Sequence, residues 1–191
     1  SNVAVGIAAL TSATTGGSNV AVGDQALSSI TTGTNCTAVG HRANKSNTTG
    51  NHNTAIGDQA LEENTTGSQS VAIGHTSLHA ATNGQNTAVG CYTGSSVTTG
   101  IGNVIVGYHA ATAMTTCDGN TAIGRMSMNA ATTGGTNTSV GYDSGIEITT
   151  GTNNLCLGYR SGKSDSPSGS ITTGSNNVVL GNNSIANLYC A

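Results

Sequence analysis

A short block of the type Asn-x-Ala-Val/Ile-Gly returns eleven times along this chain of 191 residues. Nine of the ten intervals between its closing glycines are 17 or 16 residues long, and the last is 23. These glycines are Gly6, Gly23, Gly40, Gly57, Gly74, Gly90, Gly107, Gly124, Gly141, Gly158 and Gly181. A fixed period of this length is typical of a stack of similar units, each contacting its neighbours. The repeat therefore predicts a solenoid rather than an ordinary globular domain.

A second block of the Thr-Thr-Gly type, such as Thr65-Thr66-Gly67, follows about half a period after the first. Seventeen residues closed into one coil leave room for two strands of about five residues each and two tight turns. Glycine suits both corners because it tolerates a positive φ. We therefore predict an all-β fold, a parallel β-roll (solenoid) of 17-residue coils.

The period divides the chain into an array and a short tail. We assign residues 1–181 to about ten coils and residues 182–191 to a C-terminal junction that leads to a missing segment. The long last interval contains an insertion at 163–169, which we expect to protrude as a loop because insertions in repeat proteins fall in loops.

The model strand Thr54-Ala55-Ile56 predicts which side chains are buried. Thr54 and Ile56 share one face and Ala55 points to the other, because side chains alternate along a strand. The Ile56 column contains only Val, Ile or Leu in all eleven coils, so we expect it to form the core. The small residues of the Ala55 column would then pack against a second chain, which predicts a homo-oligomer, most simply with threefold symmetry.

The composition favours an ordered chain and argues against several classes of partner. The chain has no Phe or Trp, is 35% hydrophobic and only 7% charged, and has one proline, so regular repetition favours order over disorder. Its net charge of −3 is too weak and scattered to attract nucleic acid. It has no apolar run long enough for membrane insertion. We expect no cofactor and no resident metal.

Two segments of the array resemble known repeat proteins. Ser70-Val71-Ala72-Ile73-Gly74 and its relatives are similar to the head repeats of trimeric autotransporter adhesins of the YadA type. The run from Asn53 through Gly67 looks more like the arrays of viral and phage tail fibres, which often end in an endosialidase-type intramolecular chaperone. Residues 177–191 resemble the junction that precedes such a chaperone.

These resemblances imply a left-handed parallel β-roll in a homotrimer. They imply a structural, non-enzymatic fibre segment at a virion surface or in an extracellular fibre, which extends and presents a host-attachment surface. The alternative is a bacterial trimeric adhesin head on the cell surface that binds host matrix. In either case the partners would be further copies of the chain and a host surface glycan or protein receptor.

The column directly after the first-block glycine carries most of the reactive side chains. It reads Asp24, His41, Asp58 and His75, and continues as Cys91, Tyr108, Arg125, Tyr142 and Tyr159. Consecutive members would lie about 4.8 Å apart on a stacked ladder. The Asp/His alternation could bind a metal or move protons, but we expect it mainly to keep like charges apart.

The aromatic part of this column predicts an exposed stripe. Its candidate glycan contacts are Tyr92, Tyr108, Arg125, Tyr142 and Tyr159. Such rings either stack on sugars or pack against one another along the ladder, and packing among themselves is the simpler interpretation.

Catalysis and ice binding are weaker hypotheses. Asp24 and Asp58 would be about 9.6 Å apart, a spacing used by inverting glycosidases, but His41 lies between them and no long loops build a cleft. We therefore predict no enzyme, against the alternative of a polysaccharide depolymerase.

A threonine column that runs from Thr14 to Thr172 could in principle bind ice, but adjacent threonines of a strand point to opposite sides, so we predict a hydroxyl ladder that stabilises the turn.

The five cysteines fall in five different columns, which argues against disulfides between neighbouring coils. They are Cys36, Cys91, Cys117, Cys156 and Cys190. Their spacing matches neither a zinc site nor a secreted disulfide framework, so we expect reduced thiols, several of them buried. Cys190 is the one candidate for pairing between chains.

Overall fold

A computed structural model describes residues 1–166 and 168–185, and within them the only regular element is a short β-strand that recurs once per coil. Each strand has three residues. The strands are β1 (Val3–Val5), β2 (Val20–Val22), β3 (Thr37–Val39), β4 (Thr54–Ile56), β5 (Val71–Ile73), β6 (Thr87–Val89), β7 (Val104–Val106), β8 (Thr121–Ile123), β9 (Thr138–Val140), β10 (Leu155–Leu157) and β11 (Val178–Leu180). This part of the chain has no helix long and apolar enough to cross a membrane.

All eleven strands form one parallel sheet in chain order. Each strand pairs with the same positions of the next coil, so that Thr54 pairs with Val71 and Ile56 with Ile73. Since every strand pairs with the next one in sequence, the chain rises by one strand spacing per coil. The predicted all-β parallel solenoid with a repeat of about 17 residues is confirmed.

The second predicted strand of each coil is wrong. After Gly57 the chain takes left-handed backbone conformations at Gln59 (φ 58°) and Leu61 (φ 53°), and this alternation recurs in most coils. Left-handed residues cannot belong to an extended strand. This wall still bonds to its neighbours, because Gln59 N donates to His41 O at 2.9 Å and Leu61 N donates to Ser77 O at 3.0 Å.

The glycines of the two blocks serve different purposes. Gly57 has φ 134°, and a Cβ on it would lie 2.6 Å from the carbonyl carbon of Gly74 in the next coil. The glycine of the Thr-Thr-Gly block does not have a positive φ; at Gly33, a Cβ would lie 2.5 Å from the carbonyl oxygen of Gly50. The second corner therefore favours glycine for close stacking of backbones, not for the positive φ that we expected there. Cys117 fills this position in one coil, also without a positive φ.

The core lies on the opposite side of the strand from the one we predicted. Ala55 is completely buried, whereas Ile56 is 38% exposed. The interior is narrow, and alanine fits where the strand faces the other walls of the same coil. Larger side chains enter from those walls, including Leu27, Ile30, Leu61, Leu78, Val97, Met114, Met128 and Ile148, all fully buried. The Ile56 column is thus an outer surface, and the Ala55 column is not available to a second chain.

A column of buried asparagines closes the interior at the start of the strand. Its members Asn103, Asn120 and Asn137 are almost fully buried. Asn120 Oδ1 accepts a hydrogen bond from Asn137 N at 2.9 Å, and Asn120 Nδ2 donates to Gly134 O at 3.1 Å. Each amide therefore satisfies backbone groups that the corner would otherwise bury without partners.

The threonine ladder is confirmed. The first threonine of most blocks donates its hydroxyl to the carbonyl oxygen of the equivalent threonine one coil on, as Thr115 Oγ1 does to Thr132 O at 3.0 Å. The same bond is made by Thr14, Thr31, Thr48, Thr82, Thr98, Thr132 and Thr149, at 3.0 to 3.3 Å. The hydroxyls are thus used within the turn.

The insertion leaves the coil and returns to it at one point. Ile171 N donates to Gly162 O at 3.0 Å, so the intervening residues form an excursion, and Ile171 is again buried. Pro167 of this loop, most of the predicted junction at 182–191 and Cys190 lie outside the described residues.

Candidate functional site

The residues that follow the first-block glycines form one row of side chains along a corner of the solenoid, here called the corner stripe. It contains Asp24, His41, Asp58, His75, Cys91, Tyr108, Arg125, Tyr142 and Tyr159. Each member directly follows a glycine that turns the chain out of the sheet. Because the strands are in register, the residue after the glycine recurs at the same place in every coil, and the predicted column is a physical row.

One end of the corner stripe is an alternating chain of carboxylates and imidazoles. His41 Nδ1 lies 2.8 Å from Asp58 Oδ1, and His41 Nε2 lies 3.9 Å from Asp24 Oδ2. His75 Nε2 approaches the other oxygen of Asp58 at 3.4 Å. These side chains are 39% to 46% exposed, so water screens their charges. The alternation places unlike groups next to each other along the row.

Both carboxylates of the catalytic hypothesis contact the same histidine. Asp24 and Asp58 both face the imidazole of His41, which lies between them. No group of three or more His, Cys, Asp or Glu side chains in the described residues is placed to hold a metal ion.

A second charged cluster, which the sequence analysis missed, lies on the wall next to the corner stripe. Arg42 Nη1 is 3.7 Å from Glu62 Oε1, and His79 lies 3.7 Å from Glu62 and 3.6 Å from Glu63. The Glu62 side chain is only 12% exposed. Glu62 and His79 occupy the same column in adjacent coils, five residues after the first-block glycine, so the repeat could have revealed this pair. Arg42 and Glu63 come from other columns, and period analysis of single columns could not add them.

In its middle, the corner stripe makes ring contacts with Tyr92 and His109 of the adjacent column. His75 meets Tyr92 edge to face at a centroid distance of 5.0 Å, and Tyr92 stacks on His109 at 4.8 Å. Tyr108 meets the same His109 edge to face at 4.3 Å. The imidazole of His109 therefore lies between two of the candidate tyrosines. Its role was not predicted from the sequence.

The far end of the corner stripe combines two tyrosines with two arginines. The guanidinium of Arg125 lies over the Tyr142 ring at 5.0 Å, and that of Arg160 lies over the Tyr159 ring at 5.3 Å. The two rings are 5.6 Å apart and tilted by 37°. Both ring faces are thus largely taken by neighbours along the ladder, so the rings present edges and hydroxyls to solvent.

Carboxylates fix these two arginines. Asp143, whose side chain is 9% exposed, lies 3.9 Å from Arg125 and 3.8 Å from Arg160. Arg160 also donates to Asp165 of the insertion at 3.0 Å. Tyr159, followed by Asp165, raises the pKa of Arg160. The guanidinium groups therefore neutralise the chain's own acids.

The described cysteines are all free thiols. Cys36, Cys117 and Cys156 are buried, whereas Cys91 of the corner stripe is exposed. Burial raises the pKa of each of the three buried thiols. The buried thiols are therefore poor nucleophiles.

The outward side of the sheet is an apolar surface, here called the outer sheet face. It consists of the first and third residues of every strand, and all of them are Val, Ile, Leu or Thr. In the inner coils, Ile56 is 38% exposed, Val104 39%, and Val140 36%. No charged side chain lies in either column. The third-residue column was expected to lie inside the coil, so this surface was not predicted from the sequence.

A recess opens at the second corner where one coil is a residue short, and it is here called the turn notch. Its volume is about 290 Å³. Its walls include Thr66, Ser68, Gln69, Asn83, Gln85 and Ile101. The sequence signal for it was the single 16-residue interval between Gly74 and Gly90.

Comparison of the chain with protein-family models, curated proteins and solved structures found no match.

Proposed function

We propose that this chain is a structural, non-enzymatic segment of a trimeric viral or phage surface fibre, which extends and presents a host-attachment surface. The outer sheet face carries this proposal. A row of half-buried to exposed aliphatic side chains runs through eleven coils and is more than single scattered hydrophobic residues. A continuous apolar patch that is open to solvent marks an interaction site.

The repeat itself favours a second copy of the chain as the occupant of this face. Its side chains recur at one strand spacing, about 4.8 Å. A partner with the same spacing meets every coil with an equivalent coil, whereas a partner without a repeat would match only part of the row. Burial of apolar surface contributes about 25 cal/mol per Å², so equal contacts repeated over the full length add up.

Parallel copies around a common axis keep all coils level. The insertion at 163–169 then lies at the same height in every chain, and Ile56 of one chain is level with Ile56 of the next. The number three comes from the resemblance of the Asn-Thr-Ala-Ile-Gly repeats to fibre and adhesin arrays, in which cyclic trimers surround one axis. The alternative function, a bacterial adhesin head that binds host matrix, uses the same assembly.

Two observations support a mechanical rather than a catalytic role. Asp24 and Asp58 share the imidazole of His41, and the corner stripe packs along itself instead of lining a cleft. Successive coils bond through the backbone, and most of them also through the threonine and asparagine ladders, as expected of a rod that transmits load.

Charge placed on the outer sheet face tests the proposal. Ile56→Asp combined with Val140→Asp should dissociate the particle to single chains in sedimentation velocity, because carboxylates would be buried at the interface without partners. Thr49→Asp combined with Thr133→Asp is the matched control, since both threonines are exposed on another wall of the same coils. Equal masses for both double variants would contradict the proposed interface.

A further inference from the structure

The turn notch results from the loss of one residue in an otherwise regular corner. The corner that reads Thr65-Thr66-Gly67-Ser68-Gln69 in one coil is shortened to Thr82-Asn83-Gly84-Gln85 in the next. Gln85 N still donates to Ser68 O at 2.9 Å, as Gln69 N does to Asn51 O. The register of the sheet is therefore kept, and the missing residue leaves a recess at the surface.

Disruption of the threonine ladder marks the same place. Thr48 Oγ1 donates to Thr65 O at 3.0 Å, and Thr82 Oγ1 donates to Thr98 O at 3.1 Å. Among the described residues, Thr65 makes no corresponding side-chain bond to Thr82. The notch thus interrupts a ladder that is continuous on both sides of it.

The lining of the turn notch is neutral and rich in hydrogen-bonding groups. The amides of Gln69, Asn83 and Gln85 and the hydroxyls of Thr66 and Ser68 supply donors and acceptors, and no charged side chain lines it. Ile101, which is 41% exposed, supplies an apolar wall. Most small-molecule sites are mainly apolar with a few polar groups, so this lining is more polar than usual and favours a ligand rich in hydroxyls.

Several of these groups have a donor or an acceptor that makes no hydrogen bond within the described residues. Asn83 Nδ2 donates to Thr99 O at 2.9 Å, which fixes the amide and leaves its oxygen free to accept. Ser68 Oγ accepts from Asn51 N at 2.9 Å, which leaves its hydroxyl proton to donate. The side chains of Gln69 and Gln85 make no hydrogen bond to the described part of the chain. Neutral donors and acceptors beside an aliphatic wall suit a sugar ring, which has hydroxyls at its rim and C–H groups on its faces.

We propose that the turn notch binds one neutral sugar unit of a glycan. Its volume of about 290 Å³ lies near the lower end of the range for ligand pockets, which favours a single ring over a longer segment. The absence of a cationic lining side chain disfavours acidic sugars. The site would be part of the attachment surface of the proposed fibre and in that respect rests on the proposed function, although binding requires only one folded chain.

Ligand-observed saturation-transfer NMR on the native particle tests this proposal. The probes are the methyl glycosides of neutral hexoses and of N-acetylhexosamines, with methyl glucuronide as the acidic comparison. We expect transfer to at least one neutral glycoside and at least fivefold less to the glucuronide. No transfer to any neutral probe, or equal transfer to the acidic one, would overturn the proposal.

Repair of the short turn supplies the decisive variant. Asn83→Thr with one glycine inserted before Gly84 restores the pattern of Thr132-Thr133-Gly134-Gly135, fills the notch and should abolish transfer. Gln69→Ala with Gln85→Ala provides a second route that leaves the turn length unchanged and should reduce transfer at least fivefold. Undiminished transfer in either variant would overturn the site.

Asn35→Ala is the matched control for the glutamine variants. It lies in the same column as Gln69, is exposed and shares a left-handed φ of 56°, but belongs to a turn of full length. Transfer should be unchanged in this variant, and an equal loss there would count against the site. Native mass, measured on the same samples, separates the two proposals: a monomer that keeps transfer refutes the fibre and supports the notch.

Discussion

The imidazole Nδ1 of His41 lies 2.8 Å from Oδ1 of Asp58, one coil further along the solenoid. The pair is exposed, and its second nitrogen is 3.9 Å from Asp24. An exposed pair of this kind contributes up to about 1 kcal/mol and is weakened by salt. The contact joins coils that are already held by backbone bonds on every wall.

Asp58→Asn should therefore have a small effect on stability. We expect it to lower the free energy of unfolding by at most about 1 kcal/mol at low salt and by less at 0.5 M salt, because ions screen the pair. Urea unfolding at pH 6 measures this, with Asp118→Asn, outside the corner stripe, as the control. A loss several times larger would indicate that the Asp/His row has a greater structural role.

Enlarging Ala72 should lower the free energy of unfolding more than truncating Ile73 does. Ala72 is fully buried, so Ala72→Leu overpacks the coil and should cost about 1–3 kcal/mol. Ile73 lies on the outer sheet face, so Ile73→Ala should cost less in a single folded chain and act mainly on assembly. Urea unfolding of the separated chains, in the Ile56→Asp, Val140→Asp background, measures both. A larger loss of stability in Ile73→Ala than in Ala72→Leu would mean that the Ile56 column forms the core.

Asn120→Ala should be among the most destabilising single changes in the array. It leaves Asn137 N and Gly134 O without their partners at a buried corner, and each unsatisfied group costs about 1–3 kcal/mol. We expect a total loss of about 2–6 kcal/mol in urea unfolding. Asn153→Ala, at an exposed position two coils further on, should cost far less. Equal losses would mean that the amide ladder does not stabilise the corner.

The buried thiols should lower the free energy of unfolding at alkaline pH. Burial raises the pKa of Cys36, Cys117 and Cys156 above the ordinary 9.0, because the folded chain disfavours the thiolate. Between the pKa of the unfolded chain and that of the folded chain, the native state holds more protons than the unfolded state. The contribution of these thiols to the free energy of unfolding is therefore fully present below about pH 9 and is lost as the pH rises through the pKa values of the folded chain.

Urea midpoints from pH 7 to pH 10.5, measured in a Cys190→Ser background, check this expectation. Cys156→Ala should flatten the alkaline decline, whereas Cys91→Ser, at the exposed thiol, should leave it unchanged. A thiol reagent should modify only Cys91 of the four described cysteines in the native chain. Fast modification of Cys36 would contradict its burial.

The sequence was sufficient for the architecture because periodicity and register are the same property in a solenoid. The 17-residue interval predicts the coil, and the unbroken threonine column predicts its hydrogen-bonded ladder. The Asp24 to Tyr159 column predicts a physical row for the same reason.

The orientation of the strand could not be derived in this way. Alternation shows that Thr54 and Ile56 share a face, but not which face is inside. Hydrophobicity favours Ile56 for the interior, whereas the narrow coil places Ala55 there. Ile105 fits in the same column because it lies beside Gly94, where an added Cβ would lie 2.7 Å from it. The width depends on left-handed turns at residues such as Gln59 and Leu61, which carry no sequence signal because these residue types rarely adopt a positive φ.

The mass of the native particle tests the central claim most directly. Light scattering should be recorded on the unmodified chain at several concentrations with reductant present, so that Cys190 cannot link chains. A mass of three chains that does not change with concentration is the predicted result. A stable monomer, with the outer sheet face open to water, would contradict the proposed fibre segment.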